Sequence, residues 1–228
     1  MPDQMVRVWD LPLRLVHWSL VLLVAFQIYS GNVGGNLMRW HMLAGYAILA
    51  MVLFRLAWGV AGSTTARFSH FVAGPRAALG FGRGLLAGKP VPHASHNPLG
   101  AWMVLALLAA LAVQAGSGLF ANDDISTEGP LAALVSKATS DRMTGVHHWT
   151  QRALLGLIAV HVGAVLYHWG ALKENLVGAM FTGVKRLPAE LVREMAAVRF
   201  ASSWRALGLL VAAAVLVWLL VSKIFLKP

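Results

Sequence analysis

An all-α integral membrane protein, a bundle of transmembrane helices, is the fold class this sequence predicts, and three observations predict it. The 228 residues are 58% hydrophobic and only 12% charged, far from the roughly 45–50% apolar and 25% charged composition of soluble domains. Five apolar stretches reach the length of about 20 residues that a helix needs to cross the bilayer core. All nine prolines, from Pro2 and Pro12 through Pro90 to Pro188 and Pro228, fall in connections or at helix starts, so no helix interior is broken by a missing N–H. The same apolar excess excludes simple disorder.

The spans lie near residues 13–29, 37–60, 99–120, 146–169 and 206–225. The first is the weakest, because Arg14 and His17 interrupt its start. Its apolar run is too long for a cleaved signal peptide, and Tyr29-Ser30-Gly31-Asn32 is a poor small-x-small cleavage site. The third opens on Asn97-Pro98, an N-cap followed by proline at the first helical position. Between the spans, residues 61–98 and 170–203 are basic, whereas 121–145 holds Asp123, Asp124, Glu128 and Asp141 against Lys137 and Arg142. Residues 187–200 mix apolar and charged positions at helical spacing, the pattern of an amphipathic segment on the membrane surface.

The net charge of +10 would point to nucleic acid in a soluble protein. Here it marks topology. With five spans the N-terminus and both basic connections share a face, which carries thirteen Lys/Arg against five on the other, Arg152 lying within a span. The positive-inside rule then puts the N-terminus in the cytoplasm and the acidic connection and C-terminus outside. There are no cysteines, which removes disulfides, thiolate metal sites, iron–sulfur clusters and thioether-linked haem.

Ionisable groups at membrane depth are costly and usually functional, so the nine histidines need reasons. His147 and His161 are fourteen residues apart in the fourth span. Fourteen steps of about 100° return to within about 40° of the starting face, roughly 21 Å further along the axis. Span direction then gives each a partner at matching depth: His41 opens the second span externally beside His147, and His17 starts the first span on the cytoplasmic side with His161. One intramembrane histidine can serve as an inter-helix hydrogen-bonding residue or a metal ligand. Two depth-matched pairs are what two non-covalent b-type haems need, each iron taking an imidazole from either side. A tetrahedral zinc cluster is disfavoured, since His147 and His161 are too far apart to share a metal. Gly45, one turn after His41, and Gly116 and Gly118 in the third span are positions where a porphyrin plane could approach.

The segments Val6-Arg7-Val8-Trp9-Asp10 with Arg14-Leu15-Val16-His17-Trp18, then Arg39-Trp40-His41-Met42-Leu43-Ala44-Gly45 with Arg55-Leu56-Ala57-Trp58-Gly59, and His147 with His161 resemble the bacterial di-haem cytochrome b561 family. That family overlaps with the cytochrome b subunits of membrane-bound nickel–iron hydrogenases. The resemblance covers about residues 5–185. It implies a four-helix haem-binding core over 1–185, leaving 186–228 as the amphipathic segment and a fifth, C-terminal transmembrane helix. It also implies His17 and His161 as ligands of the cytoplasmic-side haem, with His41 and His147 ligating the external one.

By the same resemblance, electrons pass across the inner membrane between the quinone pool and a redox partner, a periplasmic c-type cytochrome or an oxidoreductase subunit. An alternative within the family is a superoxide:quinone oxidoreductase. A haem-free transporter or accessory protein ranks last, because no inverted repeat accompanies the histidines.

Other residues have simpler readings beside the functional ones. His168, seven residues after His161, is a candidate for a quinone or a haem propionate, or an interfacial histidine. Arg14 and Arg55 are candidates for the same groups, or snorkel to lipid phosphate. Arg152 is deeper, and a propionate or polar partner is favoured there. His93-x-x-His96 and His70 read as solvated, and Gly80-x-Gly82-x-Gly84 lacks the strand of a dinucleotide fingerprint. Asp123, Asp124 and Glu128 either dock a basic external cytochrome or are merely solvated.

Overall fold

The computed structural model describes residues 3–89 and 91–225; Pro2, Pro90 and Pro228 lie outside them. In chain order come β1 (Gln4–Arg7), α1 (Leu11–Val33), α2 (Met38–Ala61), α3 (Phe68–Phe71), α4 (Pro75–Leu86), α5 (Pro98–Gly118), α6 (Lys137–Gly170), α7 (Leu176–Thr182), β2 (Val184–Leu187), α8 (Ala189–Met195) and α9 (Ser203–Phe225). Among the described residues, five helices are long and apolar enough to cross a membrane, namely α1, α2, α5, α6 and α9. The chain is an all-α integral membrane helical bundle.

Three details differ from the sequence expectations. β1 and β2 form an antiparallel ribbon, with Gln4 opposite Leu187 and Arg7 opposite Val184. Four-residue strands carry too little period-2 signal to be read locally. The helix expected from residue 146 begins at Lys137, because hydropathy marks where a helix is apolar and not where it starts. Within 187–200 only Ala189–Met195 is α-helical; Leu187 is buried as the last residue of β2, and Pro188 separates strand from helix. The expected start at Asn97 holds, since its Oδ1 accepts the Gly100 N–H at 2.7 Å.

The chain divides into two compact units. One comprises Met1–Leu15, Leu56–Ala106 and Leu157–Ala206. Its core is built on Trp58, which is fully buried and donates its indole N–H to Asp10 Oδ2 at 3.0 Å. Asp10 Oδ1 accepts the Leu13 N–H at 2.7 Å, satisfying one of the orphan donors at the start of α1. Gly59 makes room for Phe68, whose ring carbon would lie 2.0 Å from any added Cβ. His96, expected to be solvated, instead sits between Trp9 and Phe71, with ring centres at 4.6 and 4.3 Å.

The other unit comprises Val16–Arg55, Leu107–Gly156 and Leu207–Pro228. Ala50, Leu119, Leu131, Val217 and Val221 form its buried cluster, with Tyr46, Leu49, Leu53 and Phe120 packed on it. The fifth span thus packs against α2 and against the segment following α5. In lipid such contacts hold by close packing, since water exclusion between apolar helices is no longer the driving force. The acidic connection is tightly turned here. Asp123 Oδ1 accepts the N–H groups of Ile125, Ser126 and Thr127 at 3.0, 2.9 and 2.8 Å. Those hydrogen bonds hold its carboxyl well below the usual carboxylate range. Lys137 pairs with Asp124 at 2.5 Å and with Asp141.

Candidate functional site

His41 stands one turn into α2 and His147 on α6, both in the second unit. Their ring centres are 6.2 Å apart, with the planes at 70°. The two rings are held in the same way. His147 Nδ1 lies 2.9 Å from the Gln114 carbonyl oxygen. A carbonyl only accepts, so Nδ1 carries the proton and Nε2 the lone pair. Ser30 donates its hydroxyl to the Phe26 carbonyl at 2.8 Å, which leaves Ser30 Oγ to accept His41 Nδ1–H at 3.1 Å. Both imidazoles are therefore oriented through Nδ1, with Nε2 as the electron-pair donor. Partners of this kind fix the tautomer and ring angle of a metal-binding histidine.

Two glycines make the space. A Cβ at Gly31 in α1 would lie 3.1 Å from His41 Cε1, and one at Gly118 in α5 would lie 3.0 Å from His147 Cε1. Gly45 clears a different neighbour: a Cβ there would meet Gln27 Nε2 at 3.0 Å, and Gln27 donates to the His41 carbonyl at 2.9 Å. The Gln114 amide nitrogen lies 3.0 Å from His147 Nε2, and the Gln114 Oε1 is buried with no hydrogen-bond partner among the described residues. Ser30, Gln114 and Gly31 escaped the sequence reading; polar residues inside apolar spans were the available signal.

A family model described as prokaryotic cytochrome b561 matches residues 8–183. The chain belongs to this family. No curated protein and no solved structure matches it. It is thus a multi-pass membrane b-type cytochrome that binds haem b and serves electron transfer.

The residues present fit the cofactor that a cytochrome b561 carries. Two imidazoles bound to one iron, each through a bond of about 2 Å, put their ring centres about 6 Å apart. His41 and His147 meet that spacing with both Nε2 lone pairs free of protons. The Gln114 amide, 3.0 Å from His147 Nε2, would have to move away from it.

The other expected residues of this cytochrome b561 fall as follows. His17 lies in the second unit, its ring edge-on to Trp18 at 5.1 Å. His161 lies on α6 in the first unit. Arg55 is buried at 5% exposure, so the snorkelling expected for it does not occur. Arg14 donates to the Phe181 carbonyl beside Gly183. Arg152 sits 4.9 Å over the Trp149 ring, a cation–π contact.

His168 is buried, with Nδ1 at 2.6 Å from Glu174 Oε2. Glu174 also pairs with buried Lys185 at 2.5 Å, and Lys185 donates to the His93 carbonyl at 2.6 Å. Burial would raise the Glu174 carboxyl, but Lys185 and then His168 outweigh it and hold it below its ordinary value.

Proposed function

We propose that the protein is a di-haem cytochrome that moves electrons across the inner membrane between the quinone pool and a periplasmic redox partner. His41 and His147 ligate the external haem, and His17 and His161 the cytoplasmic one. The observation that carries this reading is the His41–His147 pair, 6.2 Å apart between ring centres and fixed through both Nδ1 atoms. The His17–His161 pair is supported by bilayer depth and by the fourteen-residue spacing from His147 to His161 along one continuous helix.

When bound, haem b supplies an iron that accepts and releases one electron at a time. The chain's own residues do the rest. The Gln114 carbonyl and Ser30 hydroxyl hold the Nδ1 protons and strengthen the Nε2 donors. Gly31 and Gly118 keep the rings close to the helix backbones. His168, hydrogen-bonded to Glu174, is the group placed to hand a proton to or from a quinone. Exposed Glu128 and the acidic turn around Asp123 present negative charge to a basic partner outside.

Purified protein assayed as its pyridine haemochrome is expected to hold two haem b per chain. His147→Ala and His161→Ala are each expected to lower that to one, with loss of the low-spin bis-histidine spectrum for that site. A protein without a Soret band, or haem content unchanged by both substitutions, overturns the proposal.

A further inference from the structure

Loop residues 62–97 contain Arg67, Arg76, Arg83 and Lys89 and no Asp or Glu. Within this loop, α4 is an amphipathic helix of twelve residues whose buried side is marked by Ala78. Its other side is neither covered nor uniformly polar. Leu79 is 62% exposed and Leu86 91% exposed, and their spacing of seven positions returns to within about 20° on a helix. Arg76 and Arg83, both exposed, repeat the same interval and lie about 60° round from the leucines. Past the arginines come Gly80 and Gly84. These two glycines, with Phe81, Lys89 and His93, line a shallow cavity of about 250 Å³. Around the exposed side the order is thus an apolar ridge, a row of guanidinium groups and a small basic hollow.

Two contacts fix the depth of this face. A Cβ on Gly82 would lie 3.6 Å from Leu99 Cδ1, and the Trp102 indole donates to the Ala73 carbonyl at 3.1 Å. Leu99 and Trp102 belong to the first turns of α5, a membrane-spanning helix. So α4 sits where α5 enters the bilayer, at the level of lipid headgroups. A tryptophan at this level is itself an interfacial anchor.

We infer that α4 is an interfacial helix that binds anionic phospholipid. Leu79 and Leu86 enter the acyl boundary, Arg76 and Arg83 meet the headgroup phosphates, and the hollow beside Lys89 receives one headgroup. Apolar and basic residues flanking one another on the exposed side of a helix are what such binding requires. Juxtamembrane Lys and Arg each add attraction to an anionic surface, and the effect fades with salt. An acidic soluble protein would satisfy the arginines but would leave the leucine ridge, at headgroup depth, without a role.

The test uses the full-length protein in neutral detergent with equal phosphatidylglycerol and phosphatidylcholine, reading retained lipid by native mass spectrometry. Wild type is expected to favour phosphatidylglycerol roughly tenfold or more, a preference that shrinks at high salt. The variant Arg76→Gln/Arg83→Gln/Lys89→Gln is expected to fall to near parity. Arg39→Gln/Arg142→Gln, outside the loop, is expected to keep the preference. Leu79→Ser/Leu86→Ser is expected to retain less of both lipids. These positions are exposed, so melting in detergent alone stays unchanged and reports intact folding. Equal retention of the two lipids by wild type overturns the inference, as does a preference that survives the triple substitution. A soluble acidic partner as the true occupant would give the first of those results.

Discussion

Imidazole orientation is set at the residue scale by small groups that a hydropathy profile does not register. The Ser30 hydroxyl and the Gln114 carbonyl each hold one Nδ1, and removing such partners from a metal-binding histidine typically costs 10–100-fold in affinity. Gly118→Val adds a branched side chain where the first carbon alone would lie 3.0 Å from His147 Cε1. It is expected to displace the ring and halve the haem-to-protein ratio, read from the haemochrome. Gln114→Leu tests the opposite case. The atom that orients His147 is the backbone carbonyl, which leucine keeps, while the amide beside Nε2 has to move away on ligation. This variant is therefore expected to keep full haem content, and a loss of haem would show that the side chain itself holds the site. That His41 and His147 are candidates to come together is legible in the sequence, because ionisable residues within spans are rare. Which polar neighbour holds which ring was not, because that depends on how each helix is rotated about its axis.

Individual elements show the same division. Long apolar helices announce themselves, and all five spans were placed within a few residues except the polar start of α6. The β1–β2 ribbon was invisible because its pairing joins residues some 180 positions apart in the chain. Its structural effect lies in Lys185, whose place in β2 brings the ammonium to Glu174 and the His93 carbonyl. These contacts tie the end of α6 to β2 and to the connection before α5. Glu174→Gln leaves Lys185 buried beside a neutral partner. Breaking a buried pair costs about 3–5 kcal/mol; Glu174 keeps 27% exposure, so roughly 2 kcal/mol is expected. The pH dependence has a definite sign. A carboxyl held below its ordinary value of 4.5 stabilises the fold fully above that pH. It loses that contribution as pH falls through its lowered value. The melting-temperature gap between wild type and Glu174→Gln is therefore expected to be full at pH 7 and to narrow towards pH 3. A gap that is constant across this range would show that Glu174 acts by packing alone.

Across the whole molecule, charge and chemistry have to agree on one orientation. In the orientation expected from the positive-inside count, Arg76, Arg83, Lys89 and the Lys185–Glu174–His168 group would face the cytoplasm and the turn around Asp123 the outside. In the function proposed above, the direction in which electrons and protons cross would depend on that placement, because a proton taken up at His168 would come from whichever compartment this side faces. The absence of cysteine makes the orientation directly measurable. Ser126→Cys, exposed in the acidic turn, and Ala87→Cys, exposed just after α4, each introduce a single thiol. In right-side-out vesicles a membrane-impermeant maleimide is expected to label Ser126→Cys and spare Ala87→Cys, and inside-out vesicles are expected to reverse the pattern. The opposite result would move the His168 group to the periplasmic side. It would place His41 and His147 towards the cytoplasm, and a soluble partner at the Asp123 turn would then have to be cytoplasmic. The haem pairs themselves would survive, because matching depth between spans is unchanged when the whole bundle is inverted.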